Sequence, residues 1–173
     1  MNQNIFLPER ILIPFFGDVP VVGAEIGIQG ASGSYSMLAR MPKLKLYCID
    51  PWKHFTGHLY EAEEPQPYHD ANYLEAVKRL QSFIDEGRCI VLRMTSDDAL
   101  EAVREPLDFV WVDGDHRYEQ QKRDMRFWKG KLKKRAIMGG HDWQLDDTKK
   151  AVEEEIGDVK QGDDWCWWRE YEE

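Results

Sequence analysis

Residues 107–118 read Leu107-Asp108-Phe109-Val110-Trp111-Val112-Asp113-Gly114-Asp115-His116-Arg117-Tyr118. Phe109 to Val112 form a short unbroken apolar run, the pattern of a strand buried on both faces in the middle of a parallel sheet. The run stops abruptly in Asp113-Gly114-Asp115-His116. In open α/β sheets ligands bind just beyond the carboxyl ends of the strands. Two acids and a histidine at that point therefore form a candidate site. An Asp-Gly turn facing water would explain the same residues without a function. The rest of the chain decides between these readings.

Working outward, four more apolar runs end in the same way. Val21–Ile26 ends in Glu25-Ile26-Gly27 and opens a Gly- and Ser-rich turn through Ser34. A helical stretch to Met41 follows, closed by Pro42. Leu44–Ile49 ends in Asp50-Pro51-Trp52. Residues 53–70 carry His54, His58, His69 and an acidic cluster, and read as a long loop of the kind that is usually functional or mobile. Asp70 or Asn72 is the expected cap of a helix with apolar positions Tyr73, Leu74, Val77, Leu80, Phe83 and Ile84, ended by Gly87. Cys89–Leu92 ends in Met94-Thr95-Ser96-Asp97, with Ser96 the expected N-cap of a helix through Arg104.

Beyond the opening strand, a helix is expected from about Tyr118 to Lys129. The basic segment Lys129–Arg135 surrounds the next turn. A fifth strand starts at Ala136–Met138 and runs through Gly139-Gly140 into His141-Asp142-Trp143. Asp147–Ile156 is the last helix, and Trp165–Tyr171 a final edge strand. Residues 1–20, with Pro8, Pro14 and Pro20, are a lead-in that suits either a short helix or an extended segment. Strands alternating with helices predict a parallel sheet with right-handed crossovers, hence a doubly wound, Rossmann-like α/β fold. We read residues 1–173 as one domain.

Composition narrows the function. Hydrophobic content of 42% and seven tryptophans indicate a packed core rather than disorder. A net charge of −9 argues against a general nucleic-acid binder, which usually shows a basic face. Cys48, Cys89 and Cys166 lack metal spacing and read as reduced, mostly buried thiols of a cytoplasmic protein. No apolar run is long enough to span a membrane. Exposed aromatics on a short chain are compatible with a homodimer.

Five strand ends thus deliver acids: Glu25, Asp50, Asp97, Asp113 with Asp115, and Asp142. Five on one edge of one sheet are hard to explain as turn chemistry alone. Gly27 and Gly30 let the backbone come close to a ligand. Asp50, at the end of the second strand, is placed to accept hydrogen bonds from both ribose hydroxyls of a nucleoside. Ser96 and Asp97 are placed to hold an adenine amino group, although a helix cap explains Ser96 equally well. Trp52 suits stacking on a flat base or packing against its loop. The turn spacing, Gly27-x-x-Gly30-x-x-Gly33 after Glu25, departs from the dinucleotide fingerprint. A carboxylate there repels a pyrophosphate and suits an amino group or a sulfonium.

The blocks Glu25-Ile-Gly-x-x-Gly, Tyr47-Cys-Ile-Asp-Pro-Trp52, Leu92-Arg-Met-Thr-Ser-Asp97, Leu107 through Glu119, and Gly139-Gly-His-Asp-Trp143 occur in that order. Together they resemble the small class I S-adenosylmethionine-dependent methyltransferases related to sugar and macrolide O-methyltransferases. The likeness covers roughly residues 20–170, and its specific parts are the Asp-Gly-Asp-His-x-Tyr-Glu and Gly-His-Asp blocks. It implies a seven-stranded sheet with an antiparallel last strand, and methyl transfer from S-adenosylmethionine to a hydroxylated small molecule. By the same resemblance Glu25 and Gly27 line the methionine part, Asp50 the ribose and Ser96-Asp97 the adenine, with Asp113 beside the sulfonium. Asp113 and Asp142 would hold a divalent magnesium or manganese ion. Two departures stand out. Ala31 replaces a glycine of the family turn, with Gly30 one place earlier, and Lys134-Arg135 replaces a glycine pair expected in the turn before the fifth strand.

Methyl transfer to oxygen requires a hydroxyl placed in line with the methyl carbon and a group to take its proton. His116 and His141 are the candidate bases, with Asp113, Asp115 and Asp142 as metal ligands or orienting groups. Residues 1–18, the 53–70 loop and Trp143–Asp147 are the segments left to recognise the acceptor. Two rivals share these residues: a non-catalytic S-adenosylmethionine-binding scaffold and a metal-dependent hydrolase. The hydrolase would leave Glu25 and Asp50 idle.

Overall fold

The computed structural model describes residues 8–57, 60–162 and 164–172, with the backbone alone for Tyr60 and Glu61. The first seven residues of the lead-in, His58 of the loop and the terminal Glu173 lie outside the described residues. The chain runs α1 (Glu9–Phe16), β1 (Val21–Ile26), α2 (Ser32–Arg40), β2 (Leu44–Ile49), a 3-10 turn (Tyr60–Glu63), α3 (Gln66–Asp85), β3 (Cys89–Leu92), α4 (Ser96–Ala102), β4 (Leu107–Val112), α5 (Tyr118–Lys129), β5 (Leu132–Gly140), α6 (Asp146–Glu155), β6 (Lys160–Gln161) and β7 (Trp167–Tyr171).

These strands form one seven-stranded sheet in the order β3-β2-β1-β4-β5-β7-β6. β1 to β5 are parallel, and β7 runs antiparallel to β5. Strand alternation divides the core between two faces. Leu46, Cys48, Phe109 and Trp111 pack toward α1, α2 and α3. Tyr47, Ile49, Val110 and Val112 pack toward α4, α5 and α6. The Rossmann-like α/β fold is therefore as expected. Chain order reverses between β1 and β4, the switch point at which such sheets bind ligands. Among the described residues no helix is long and apolar enough to cross a membrane.

Several boundaries differ from expectation. α3 begins at Gln66, so residues 66–70 belong to a helix rather than to the 53–70 loop, and Asp70 and Asn72 lie inside it instead of capping it. Pro65 and Pro67 sit at the helix start, where a missing N–H costs nothing. The N-cap of α4 is Thr95, which accepts from the Asp98 N–H at 3.2 Å, while Ser96 is the first helical residue. β5 starts at Leu132, so Lys134 and Arg135 lie in an exposed part of a strand, not in a turn. β7 is not the edge: it sits between β5 and the two-residue β6. Lys160 and Gln161 are both exposed, so no apolar pattern marks β6. Cys48, Cys89 and Cys166 are free and buried, with Cys48 and Cys89 Sγ atoms 3.6 Å apart on neighbouring strands.

Candidate active site

The carboxyl edge of the sheet is aligned by its own backbone. Asp50 N–H donates to Leu92 O, Gly27 N–H to Ile49 O, Asp113 N–H to Ile26 O and His141 N–H to Val112 O, at 2.8–3.2 Å. Each bond ties the residue leaving one strand to the last carbonyl of its neighbour. The strand-end groups therefore stand in one row. They open into a cavity of about 1610 Å³ lined by Glu25, Gly27, Gly30, Asp50, Trp52, Ser96, Asp97, Asp113, Asp115, His116, His141 and Asp142. Each of these candidate residues borders this one cavity, whereas residues 143–147, expected at the acceptor, are not part of its lining.

Their local roles are not uniform. Gly27 has φ +81, and a Cβ there would stand 2.2 Å from Asp113 O and 2.4 Å from Gly114 Cα. Its lack of a side chain lets the β1 and β4 turns touch; the space is taken by protein backbone, not kept for a ligand. Gly30 has no such constraint, its nearest neighbours to a built Cβ being 3.8 Å away. The left-handed position of the turn falls on Ala31, at φ 60 and ψ 32, where the resembled family carries glycine. Gln29, Trp52, Asp142 and Trp165, four of the five described non-glycine residues with positive φ, line the cavity. Backbone held in such sparsely populated regions concentrates at functional sites.

Asp50 caps the β1 turn. Its Oδ2 accepts from Ile28 N–H at 3.1 Å and Gln29 N–H at 2.9 Å, and its Oδ1 from Trp52 N–H at 2.7 Å. A carboxylate has about four lone-pair sites. Three are used, which leaves about one for a further donor. Burial raises its pKa, and these three backbone donors oppose the rise. Trp52 takes the packing role. It is 1% exposed, its Nε1–H donates to Gln29 O at 2.9 Å, and its ring meets Tyr73 edge-on at 5.0 Å.

Glu25 is buried at the end of β1 and accepts from the Ser34 hydroxyl. Burial pushes its carboxyl up to about 7, the Ser34 bond pulls it down, and the neighbouring charge of Glu9 adds to the rise. At the end of β3, the Ser96 hydroxyl donates to Asp124 Oδ1 at 2.6 Å, and Gln120 Nε2 donates to the same oxygen at 3.0 Å. Asp124 is raised to about 7 by burial, against those bonds. Asp97 pairs with Arg123 at 3.2 Å.

Beyond β4 and β5 the two histidines converge on one acid. His116 Nδ1 lies 3.1 Å from Asp142 Oδ2, and His141 Nδ1 lies 3.2 Å from Asp142 Oδ1 and 3.8 Å from Asp113 Oδ1. The hydrogen bond to Asp142 raises His141 to about 9 against partial burial, with Asp113 adding to the rise. Burial works to raise Asp142, but its bond from His141 and the charge of His116 leave it below the ordinary carboxylate range. Asp113, His141 and Asp142 offer ligand atoms within 4.8 Å of one another. Two carboxylates and an imidazole at that spacing fit a divalent cation. Asp115 is turned instead to Arg117, with Nη2–H donating at 2.6 Å and the Arg117 backbone N–H at 2.9 Å.

A family profile for the methyltransferase domain matches residues 24–143. The chain belongs to this family. The match is to a methyltransferase domain, which speaks against the hydrolase reading. The methyltransferase fold recurs in solved structures of low sequence identity. An rRNA methylase from Streptococcus thermophilus is 12% identical over 98% of this chain and 99% of that one, with a TM-score of 0.66. The O-methyltransferase NovP is 15% identical over 90% and 73%, with a TM-score of 0.63. TrmN from Thermus thermophilus is 9% identical over 83% of this chain, with a TM-score of 0.59. The chain spans only 39% of the length of TrmN. No protein of curated function matches it in sequence.

The polar groups of the cavity that sequence reasoning passed over include His69, Asn72, Gln120 and Asp124. Asp124 had a readable signal, since it falls on the buried stripe of α5 with Gln121, Met125 and Trp128. His69 and Asn72 were hidden by the misplaced start of α3.

Proposed function

We propose that this methyltransferase methylates a hydroxyl of a small molecule, such as a sugar or another natural product, as in the sugar and macrolide O-methyltransferases it resembles. The observation that carries this reading is the convergence of His116, His141 and Asp113 on Asp142 within the cavity. A hydroxyl is a weak nucleophile and must lose its proton as the new bond forms. A histidine beside a cation-binding acid cluster serves that need. A net charge of −9 disfavours a polyanionic acceptor such as RNA.

When bound, S-adenosylmethionine supplies a methyl carbon activated by its sulfonium. Glu25 would hold the ammonium of its methionine end, Asp50 the ribose and Ser96 and Asp97 the adenine edge, with Asp113 on the side of the sulfonium. Asp113 and Asp142 would hold a magnesium or manganese ion, which would supply Lewis acidity toward the acceptor hydroxyl. His116 accepts the proton. The Asp142 carboxylate lies 3.1 Å from His116 Nδ1, which leaves Nε2 for the acceptor. His141, raised to about 9 by its bond to Asp142, keeps its proton at neutral pH and is the weaker candidate for the base.

The test is calorimetric titration with S-adenosylmethionine, followed by turnover on hydroxylated sugars and phenols. Saturable binding and methyl ether formation are expected. Methylation confined to amines or to RNA would overturn the acceptor assignment.

A further inference from the structure

We propose that Arg79 of α3 is a positioning residue for the turn after β1, holding a strained stretch of backbone, Gln29 to Ser32, in its binding conformation; the inference rests on the S-adenosylmethionine site described above. The turn carries its middle glycine where none is needed. Gln29 has φ 43 and Ala31 φ 60, while Gly30 between them stays outside the left-handed region. In that region the Cβ of an L-residue crowds the following carbonyl oxygen. Two such residues in one turn persist only when their surroundings fix them.

Those surroundings come from two elements. Residues 28 and 29 are held from the end of β2: Asp50 accepts from both N–H groups, and Trp52 Nε1–H donates to Gln29 O. The other half is held from α3. Arg79 Nη1 donates to Gly30 O and to the Ser32 hydroxyl, so it bonds on both sides of Ala31. Among the described residues no other side chain hydrogen-bonds to Gly30, Ala31 or Ser32. Glu75, one helical turn earlier, accepts from Arg79 Nη2 at 2.6 Å and keeps the guanidinium in place.

The clamp matters for the ligand because α2 starts in this turn. Ala31 is the N-cap of α2 and brings no side-chain cap, so the helix start is fixed from outside. The first turn of α2 packs on Glu25. The Ser34 hydroxyl donates to that carboxylate, and a Cβ on Gly33 would stand 2.6 Å from Glu25 Oε1. A turn that relaxes at Ala31 therefore shifts the wall around the acid assigned to the cofactor ammonium. Apparent affinity falls with the fraction of chains that hold the binding conformation. Arg79 acts through this backbone, its charge already answered by Glu75.

The experiment is calorimetry with S-adenosylhomocysteine, with a thermal melt of each chain. The chains are wild type, Arg79→Met, Arg79→Lys, Ala31→Gly, and Arg79→Met combined with Ala31→Gly. Arg79→Met keeps the length of the side chain and loses its donors. It should bind about tenfold more weakly than wild type, the scale of one lost hydrogen bond. Arg79→Lys, which keeps a charged donor, should lose less. Glycine adopts left-handed backbone without strain, so in the Ala31→Gly background the loss caused by Arg79→Met should shrink to about twofold or less. Arg79 is 31% exposed, and its removal should lower Tm by no more than about 3 °C. A lower Tm with unchanged affinity would reduce Arg79 to a structural role and overturn the proposal. The same loss of affinity in both backgrounds would mean that Arg79 touches the ligand directly, and would overturn it too. A wild-type chain that does not bind S-adenosylhomocysteine would overturn the cofactor site itself.

Discussion

His116 Nδ1 stands 3.1 Å from Asp142 Oδ2, while His141 Nδ1 stands 3.2 Å from Oδ1 of the same carboxylate. One acid therefore brings two imidazoles together, each delivered by a different strand end. Replacing His116 by Gln should lower kcat about 10²- to 10⁴-fold, the usual contribution of a positioned base, with affinity for S-adenosylmethionine unchanged. Exhaustive chelation should stop turnover, and magnesium or manganese should restore it in wild type but not in Asp142→Ala. Full turnover in chelator would remove the cation from the mechanism.

Asp50 binds the protein before it binds any ligand. Asp50→Ala strands three backbone N–H groups and should cost about 2–3 kcal/mol, a Tm drop of about 5–10 °C. Its effect on cofactor affinity comes on top of that loss. Thermal melts without ligand are the measurement, and a wild-type Tm would show that the turn does not depend on this carboxylate.

Glu25 sets a pH dependence whose sign is fixed by its raised pKa. Its ordinary value is 4.5 and its folded value about 7. The folded chain holds the extra proton, so the favourable contribution is complete below about 4.5 and is lost as pH rises through about 7. Glu25→Gln removes this loss. The variant should gain about 3 kcal/mol over wild type at pH 8, and nothing at pH 4. The same change should weaken S-adenosylmethionine about tenfold, because the ammonium loses a charged partner. Parallel stability curves for the two chains from pH 4 to 8 would contradict the assignment.

The two glycines of the β1 turn should respond differently. Gly27→Ala drives a methyl into the Asp113–Gly114 backbone at positive φ, and a loss of at least about 3 kcal/mol is expected in urea unfolding. Gly30→Ala meets only ordinary contacts and should change stability by less than about 1 kcal/mol. Equal effects of the two substitutions would show that the close approach of the β1 and β4 turns is not what Gly27 serves.

The sequence alone determined the sheet and the row of groups along its edge. Apolar runs such as Val21–Ile26 and Phe109–Val112 report burial through their own period, and the residue leaving each run must sit at the carboxyl edge. That placement brought Glu25, Asp50, Asp97, Asp113 and Asp142 to one cavity. Only the tertiary structure decided what each group has left to offer. The lone pairs of Asp50 are taken by Ile28 and Gln29, more than 20 residues away in the chain, and the Trp52 ring is closed in by Gln29 and Tyr73. The place of His69 and Asn72 in the cavity wall became visible once Pro65 and Pro67 were seen to open α3 early. Periodicity encodes which side of an element is buried, but hydrogen-bond occupancy depends on partners that only folding brings together.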